Sequence, residues 1–188
     1  MKACLVGMAC SLLMAAALPA SAQQSLVLAQ SEIAFTSTQM GVPVQGRFKS
    51  FNAQVAFDPK KLDTSKIAFA IDVASASFGV AELDAEVTSP AWFDAKRFPQ
   101  ATFRSMSVKE TGNGKFDVAG KLTIKGGVRD LVVPVAVAQS TAGTTATGAF
   151  AIKRLDFGIG DGEWKDTTMV SNEVQVKFKL LLAGTAVK

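Results

Sequence analysis

Apolar and polar residues alternate along most of this chain. Near the C-terminal end Val174, Val176, Phe178 and Leu180 share one parity, while Glu173, Gln175, Lys177 and Lys179 share the other. Successive side chains of an extended strand point to opposite faces, so the pattern predicts a strand with one dry side and one wet side. The same reading fits Ile67, Phe69, Ile71 and Val73, then Phe116, Val118, Leu122 and Ile124, then Leu131, Val133, Val135 and Val137. Shorter versions occur at Ile33 with Phe35, at Ala53, Val55 and Phe57, and at Phe150 with Ile152. Phe48 and Phe51 fall on opposite parities. One strand can carry both inward only if a bulge or bend near Lys49-Ser50 resets the register.

Turn residues separate these segments: Asp58-Pro59, Gly112-Asn113-Gly114, Gly126-Gly127, and a Thr/Gly/Ala stretch from Thr141 to Gly148. Asn113-Gly114 is a strong hairpin signal because both residues tolerate positive φ. Pro134 interrupts an apolar strand and predicts an edge, a bulge or a strand end there, since proline cannot donate to the ladder. Only one region has helical spacing: Val80, Leu83 and Val87 recur at i, i+3 and i+7 before Pro90 stops the pattern. A short helical insertion near residues 80–94 follows. Its bulky pair Trp92-Phe93 either covers one mouth of a barrel or packs onto the core.

About eight antiparallel strands in one domain predict an all-β fold, either an up-and-down barrel or a sandwich. A barrel of about eight strands is filled by its own side chains or holds one small ligand, and periodicity does not separate the two. Parity does select the inward positions. Lys177 and Lys179 turn Val174, Val176, Phe178 and Leu180 inward; Lys121 and Lys125 do the same for Phe116, Val118, Leu122 and Ile124; Asp72 does so for Ile67, Phe69, Ile71 and Val73. Adding Ile33, Phe35, Phe48, Leu131, Val133, Val135, Phe150, Ile152 and the pair Trp92 and Phe93 completes the candidate lining of a cavity.

The first residues change which part of the chain matters. Lys2 is followed by an uncharged apolar run to Leu18 and then by Pro19-Ala20-Ser21-Ala22. These are the three regions of a secretory signal peptide with an A-x-A-like cleavage point, so residues 1–22 are expected to be removed and residues 23–188 to form the domain. The apolar run is marginal for a membrane span and leads directly into the small-residue site. Cys10 lacks the preceding branched residue that lipidation wants. Both cysteines, Cys4 and Cys10, leave with the signal, and the chain has no histidine. The secreted part therefore has neither thiol chemistry nor imidazole chemistry and relies on burial and backbone pairing.

Charge adds little. There are 20 basic and 16 acidic residues, and losing Lys2 leaves a mild excess of +3. Basic residues such as Lys121, Lys125, Lys177 and Lys179 stand singly along strands, which gives nucleic-acid binding no footprint. Gly158, Gly160 and Gly162 form a G-x-G-x-G run, but a dinucleotide fingerprint needs a βαβ unit that is not visible, so a flexible loop is expected. Asp156, Asp161, Glu163 and Asp166 lack calcium-loop spacing and read as a solvated loop, with no metal site. A Ser-His-Asp triad is impossible without histidine, and no S-x-x-K pattern appears. Nothing local predicts two carboxylates with separated pKa values, so the chain reads as a container and not as an enzyme.

Several spaced segments carry a family resemblance. Ser89-Pro90-Ala91-Trp92-Phe93-Asp94 with Phe98-Pro99-Gln100-Ala101-Thr102-Phe103-Arg104-Ser105, then Val118-Ala119-Gly120-Lys121-Leu122-Thr123-Ile124-Lys125-Gly126, then Ile152-Lys153-Arg154-Leu155-Asp156-Phe157-Gly158-Ile159, resemble the ordered motifs of the YceI-like family. Met40-Gly41-Val42 leading to Gly46-Arg47-Phe48 and Phe51 resembles its first hairpin. One departure is Gln39, where many members carry histidine before the Met-Gly pair. The resemblance implies a single extended, lipocalin-like antiparallel β-barrel that binds a polyisoprenoid or similar long-chain amphiphile, such as an isoprenoid quinone, in the periplasm. It implies no other cofactor. A quinone carrier would in turn imply an electron-transfer partner at the inner membrane. Arg154 near Asp156 reads either as a buried ion pair that closes the barrel end or as surface charge, and the resemblance favours the seal. The alternatives are an envelope interaction module with a side-chain-filled barrel, or a hydrolase using carboxylates.

Overall fold

The computed structural model describes residues 24–184, so the expected signal peptide lies outside the described residues. Eleven strands form one antiparallel sheet that closes on itself. Several are halves of one interrupted strand. β1 (Gln24–Leu26) and β2 (Glu32–Gln39) run along the same side of β11 (Glu173–Ala183), separated by a 3-10 turn at Leu28–Gln30. β3 (Val42–Phe48) pairs with β2, and β4 (Phe51–Ala56) pairs with β1. β5 (Lys66–Asp72) then pairs with β4, and β6 (Ala76–Ser77) with β3. β7 (Gln100–Gly112), β8 (Lys115–Ile124), β9 (Gly127–Ser140) and β10 (Gly143–Lys153) follow as a meander to β11. Counting interrupted strands once gives a closed, eight-strand, up-and-down barrel, in agreement with the sequence.

The local devices are largely those the residues require. The chain bends at Lys49–Ser50, between β3 and β4, and this break brings both Phe48 and Phe51 into the same apolar cluster. The Asn113-Gly114 hairpin forms, but only Gly114 is left-handed, and a register shift between Glu110 and Gly112 takes up the remaining twist. The next turn is Lys125-Gly126 instead of Gly126-Gly127, with both residues at positive φ. The Thr/Gly/Ala stretch proves to be strand from Gly143 onward, with only Thr141-Ala142 in the turn. Its register against β11 fixes it as barrel wall, because small residues pair as well as large ones when neighbours supply the packing.

Pro134 marks a change in the wall. β9 pairs with β8 through Pro134 and beyond, but its pairing with β10 ends at Val135 opposite Gly148. A residue without an N–H sits where the second ladder stops.

The insertion between β6 and β7 is less helical than its spacing predicts. Helix α1 covers only Ala81–Glu86, and turns occupy the rest as far as Phe98. Of the expected stripe, Val87 is buried while Val80 and Leu83 stay exposed. The Asp84 carboxylate accepts from Ser77 Oγ at 2.7 Å and from Phe78 N at 2.6 Å, so a polar anchor ties the helix to β6.

Three glycines let aromatic rings lie along the wall. A Cβ on Gly148 would collide with the Phe178 ring, one on Gly120 with Phe103, and one on Gly46 with Phe35. Each ring covers a residue that has no side chain, which in the bore keeps Phe103 and Phe178 against the wall. Gly148→Ala is therefore expected to push Phe178 off the wall and cost about 1–3 kcal/mol of stability, read by urea unfolding.

Candidate functional site

The interior holds a cavity of about 130 Å³ to which no polar atom is exposed. For comparison, an engineered cavity of about 150 Å³ lined by Leu, Ile and Phe stays dry. Along β11 its wall runs from Val176 to Leu182, about 20 Å at an ordinary strand rise, and about 15 Å along the axis once strand tilt is allowed for. The shape is a narrow greasy bore.

Fourteen of the twenty-two expected lining residues border this bore. Ile33 lines it from β2, Ile67, Phe69 and Ile71 from β5, and Phe116, Val118 and Leu122 from β8. Leu131, Val133 and Val135 line it from β9, Phe150 from β10, and Val176, Phe178 and Leu180 from β11. The other eight do not reach it. Val73, Ile124 and Ile152 pack in one cluster with Phe157 and Ile159, and Phe35, Phe48 and Val174 pack in another with Val87. Trp92 and Phe93 touch both clusters. All eight pack into these two clusters, which lie beyond the bore and form a solid floor. Nine further wall residues escaped the sequence reading, among them Val55, Phe57, Ala101, Phe103, Ala146 and Leu182. Val55, Phe57 and Phe103 stand in the segments already quoted, so extending the same parity to every strand would have found them.

The floor is where the separated sequence motifs meet. Ala91 O accepts from Gly160 N at 2.9 Å and from Asp161 N at 2.8 Å. Lys125 Nζ donates to Pro90 O and to Gly158 O, both at 2.8 Å. Burial pushes its ammonium down from the ordinary lysine value, against the opposing charges of Asp161 and Asp94.

Arg154 is the centre of this arrangement, and its partners correct the expected ion pair. It is only 1% exposed, and Asp156 is exposed and makes no contact with it that would count as a salt bridge. The guanidinium instead donates to five backbone carbonyls: Nε to Ser171 O at 3.0 Å, Nη1 to Ile159 O at 2.9 Å and Gly160 O at 3.1 Å, and Nη2 to Trp164 O at 2.6 Å and Val170 O at 2.8 Å. Burial lowers its pKa, yet a guanidinium stays protonated in proteins. Its fork matches carbonyls supplied by a loop that wraps around it. Gly160 has positive φ, and a Cβ there would strike Arg154 Nη1. The G-x-G-x-G run is thus a loop whose middle glycine makes room for an arginine.

Two of the four nearby acids have partners outside the bore. Asp161 pairs with Lys165 at 2.7 Å, and this contact, with Gly162 N–H, holds its carboxyl below the usual range. Asp166 accepts from Thr168 Oγ1 and N, with the same effect.

Residues 25–182 match the YceI-like domain family. The chain belongs to that family. A UPF0312 protein of Vibrio parahaemolyticus is 34% identical over 131 residues, covering 66% of this chain and 69% of that protein. BcnA of Burkholderia cenocepacia is 47% identical with a TM-score of 0.81, covering 85% of this chain and 99% of that one. A polyisoprenoid binding domain from Saccharophagus degradans has a TM-score of 0.71 at 18% identity, covering 86% and 98%, and shares the fold. Among the described residues of this YceI-like barrel, no helix is long and apolar enough to cross a membrane.

Two outcomes test the floor. Arg154→Met is expected to lose about 3–5 kcal/mol, because it strands several carbonyls in a buried loop, and Arg154→Lys recovers only part of this in thermal unfolding. Asp84 carries a pH signature. Its pKa is lowered chiefly by Phe78 N–H and then by Ser77 Oγ, so its contribution is complete above the unfolded carboxylate pKa of about 3.9 and is lost as pH falls through the folded value. The stability gap between the wild type and Asp84→Asn should be flat above about pH 5 and close in stronger acid, read by denaturation at each pH.

Proposed function

We propose that this chain is a periplasmic binding protein that holds a long-chain isoprenoid amphiphile, such as an isoprenoid quinone, in its barrel for carriage or storage. The observation that carries the reading is the bore: bordered by strands from all round the barrel, bounded by the packed clusters of the floor, and without an exposed polar atom. A site of this kind offers nothing to a polar substrate and everything to a hydrocarbon tail. The Saccharophagus degradans domain of the same fold, described as polyisoprenoid binding, supports the ligand class.

The energetics fit a carrier. Each buried methylene contributes about 0.8 kcal/mol relative to water, and association costs about 4–15 kcal/mol, so a long tail exceeds the cost by a wide margin. A tail drawn from a bilayer was never in water, however, and net affinity then reflects how closely the barrel imitates a membrane interior. A bore of about 130 Å³ takes only a short length of chain, so a longer tail requires the wall to open further. A quinone ligand would make an electron-transfer protein of the inner membrane the natural partner. The hydrolase alternative is disfavoured by the directions of Asp161 and Asp166, which are engaged outside the bore. The filled-barrel alternative is disfavoured by the bore itself.

Mass spectrometry of organic extracts from the purified protein should show a co-purifying long-chain isoprenoid. Ala146 lines the bore, and Ala146→Phe should empty the extract while Thr147→Phe, on the exposed face of the same strand, leaves it unchanged. An extract without lipid from the wild type, or one unaffected by Ala146→Phe, overturns the proposal.

A further inference from the structure

The bore explains where a tail sits but not what holds its polar end. Among the described residues only Gln24 and Trp92 carry buried side-chain nitrogen or oxygen atoms without a hydrogen-bond partner. Trp92 can only donate, and its ring belongs to the floor clusters. Gln24 is different: 2% exposed, with both Nε2 and Oε1 unpartnered. Each unsatisfied buried polar group is costly, and folded proteins rarely leave one without a reason.

Register places this side chain. Gln24 lies directly opposite Val55 across the β1–β4 ladder, and opposite residues of an antiparallel pair project to the same face. Val55 is a wall residue of the bore, so Gln24 is on the inner face. It shares parity with Leu26, which lies opposite Leu182, the last β11 residue on the bore. Leu182 in turn lies opposite Thr144, which is buried and also borders the bore. Gln24 therefore lies on the inner face near the end of the bore remote from the floor, level with Val55 and just past Leu182. Its inner-face neighbours Leu26, Val55, Leu182 and Thr144 carry no charge.

Resting on the carrier reading above, we infer that Gln24 is the polar anchor for the ligand's head, and that the head is an uncharged oxygen group, a hydroxyl or a carbonyl. The carboxamide offers two donors and an acceptor. A hydroxyl satisfies both kinds and a carbonyl satisfies the donors. A phosphate does not fit, because among the described residues its charge would be buried beside neighbours that are all uncharged. The tail then points from Gln24 toward the floor.

The test uses three probes with one tail: farnesol, farnesyl phosphate and the hydrocarbon farnesene, titrated against the delipidated secreted protein by Trp fluorescence. Wild type should bind farnesol about ten-fold more tightly than farnesyl phosphate. Gln24→Leu should weaken farnesol about ten-fold, the size expected for a buried hydrogen-bonded contact, and leave farnesene within about two-fold. The same change should raise the thermal stability of the ligand-free protein, since it removes an unpartnered carboxamide; Gln24→Met, closer in shape, repeats the comparison. If farnesene binds but farnesol is indifferent to Gln24, or if the phosphate binds best, the anchor is wrong and the carrier survives. A ligand-free crystal structure with ordered water bonding both Gln24 atoms, and no loss of farnesol in Gln24→Leu, overturns it likewise. If neither farnesene nor farnesol binds wild type, the carrier reading itself fails.

Discussion

Closure of the sheet between β11 and the interrupted β1–β2 strand is the constraint on which everything else depends. An open sheet with so apolar a face would need a second layer to cover it. Once closed, the face covers itself, no long edge remains, and the polar backbone is paired within the wall. A closed tube of about eight strands has an interior close to the limit that side chains can fill, so small choices along the wall decide whether space is left over. The glycines under Phe103 and Phe178 tilt that choice toward a bore.

The two ends are built on opposite principles. The floor is made by burying aromatic and aliphatic side chains, and then by locking the loop beneath them with one guanidinium bonded to five carbonyls. No acid balances that cation inside the loop. Backbone dipoles do so instead, which makes the seal depend on the loop's path and not on a single partner. The opposite end has a buried carboxamide with free hydrogen-bonding capacity. One end is packed shut, and the other carries an unpartnered polar group.

The family motifs acquire a physical meaning from this geometry. The Ser89–Asp94 stretch, the Lys125 turn and the Arg154–Ile159 stretch are far apart in the chain, yet they meet through Ala91 O, Lys125 Nζ and the loop around Arg154. These motif contacts build the closed end; the wall of the bore is made mostly of interchangeable Val, Leu, Ile and Phe. A tail-binding surface needs only apolar area, whereas a sealed polar loop needs particular residues in particular places.

The sequence alone determined what depends on neighbours one or two residues away. Alternation at Val174–Leu180 and Ile67–Val73 assigned each side chain to a face, and the opposed parities of Phe48 and Phe51 located a bend, because strand geometry has a strict period of two. The tertiary structure decided everything that depends on where those faces end up. Phe35, Val73 and Ile152 point inward like Phe178 but lie in the floor, since only the folded insertion determines how far the bore extends. Asp156 is Arg154's neighbour in sequence, but the carbonyls that hold the arginine come from residues up to seventeen positions away. Gln24 reads as one more polar residue at the start of a chain until β4 and β11 close around it. Which polar groups are left without partners is a property of the assembled barrel, because every partner it excludes comes from a distant strand.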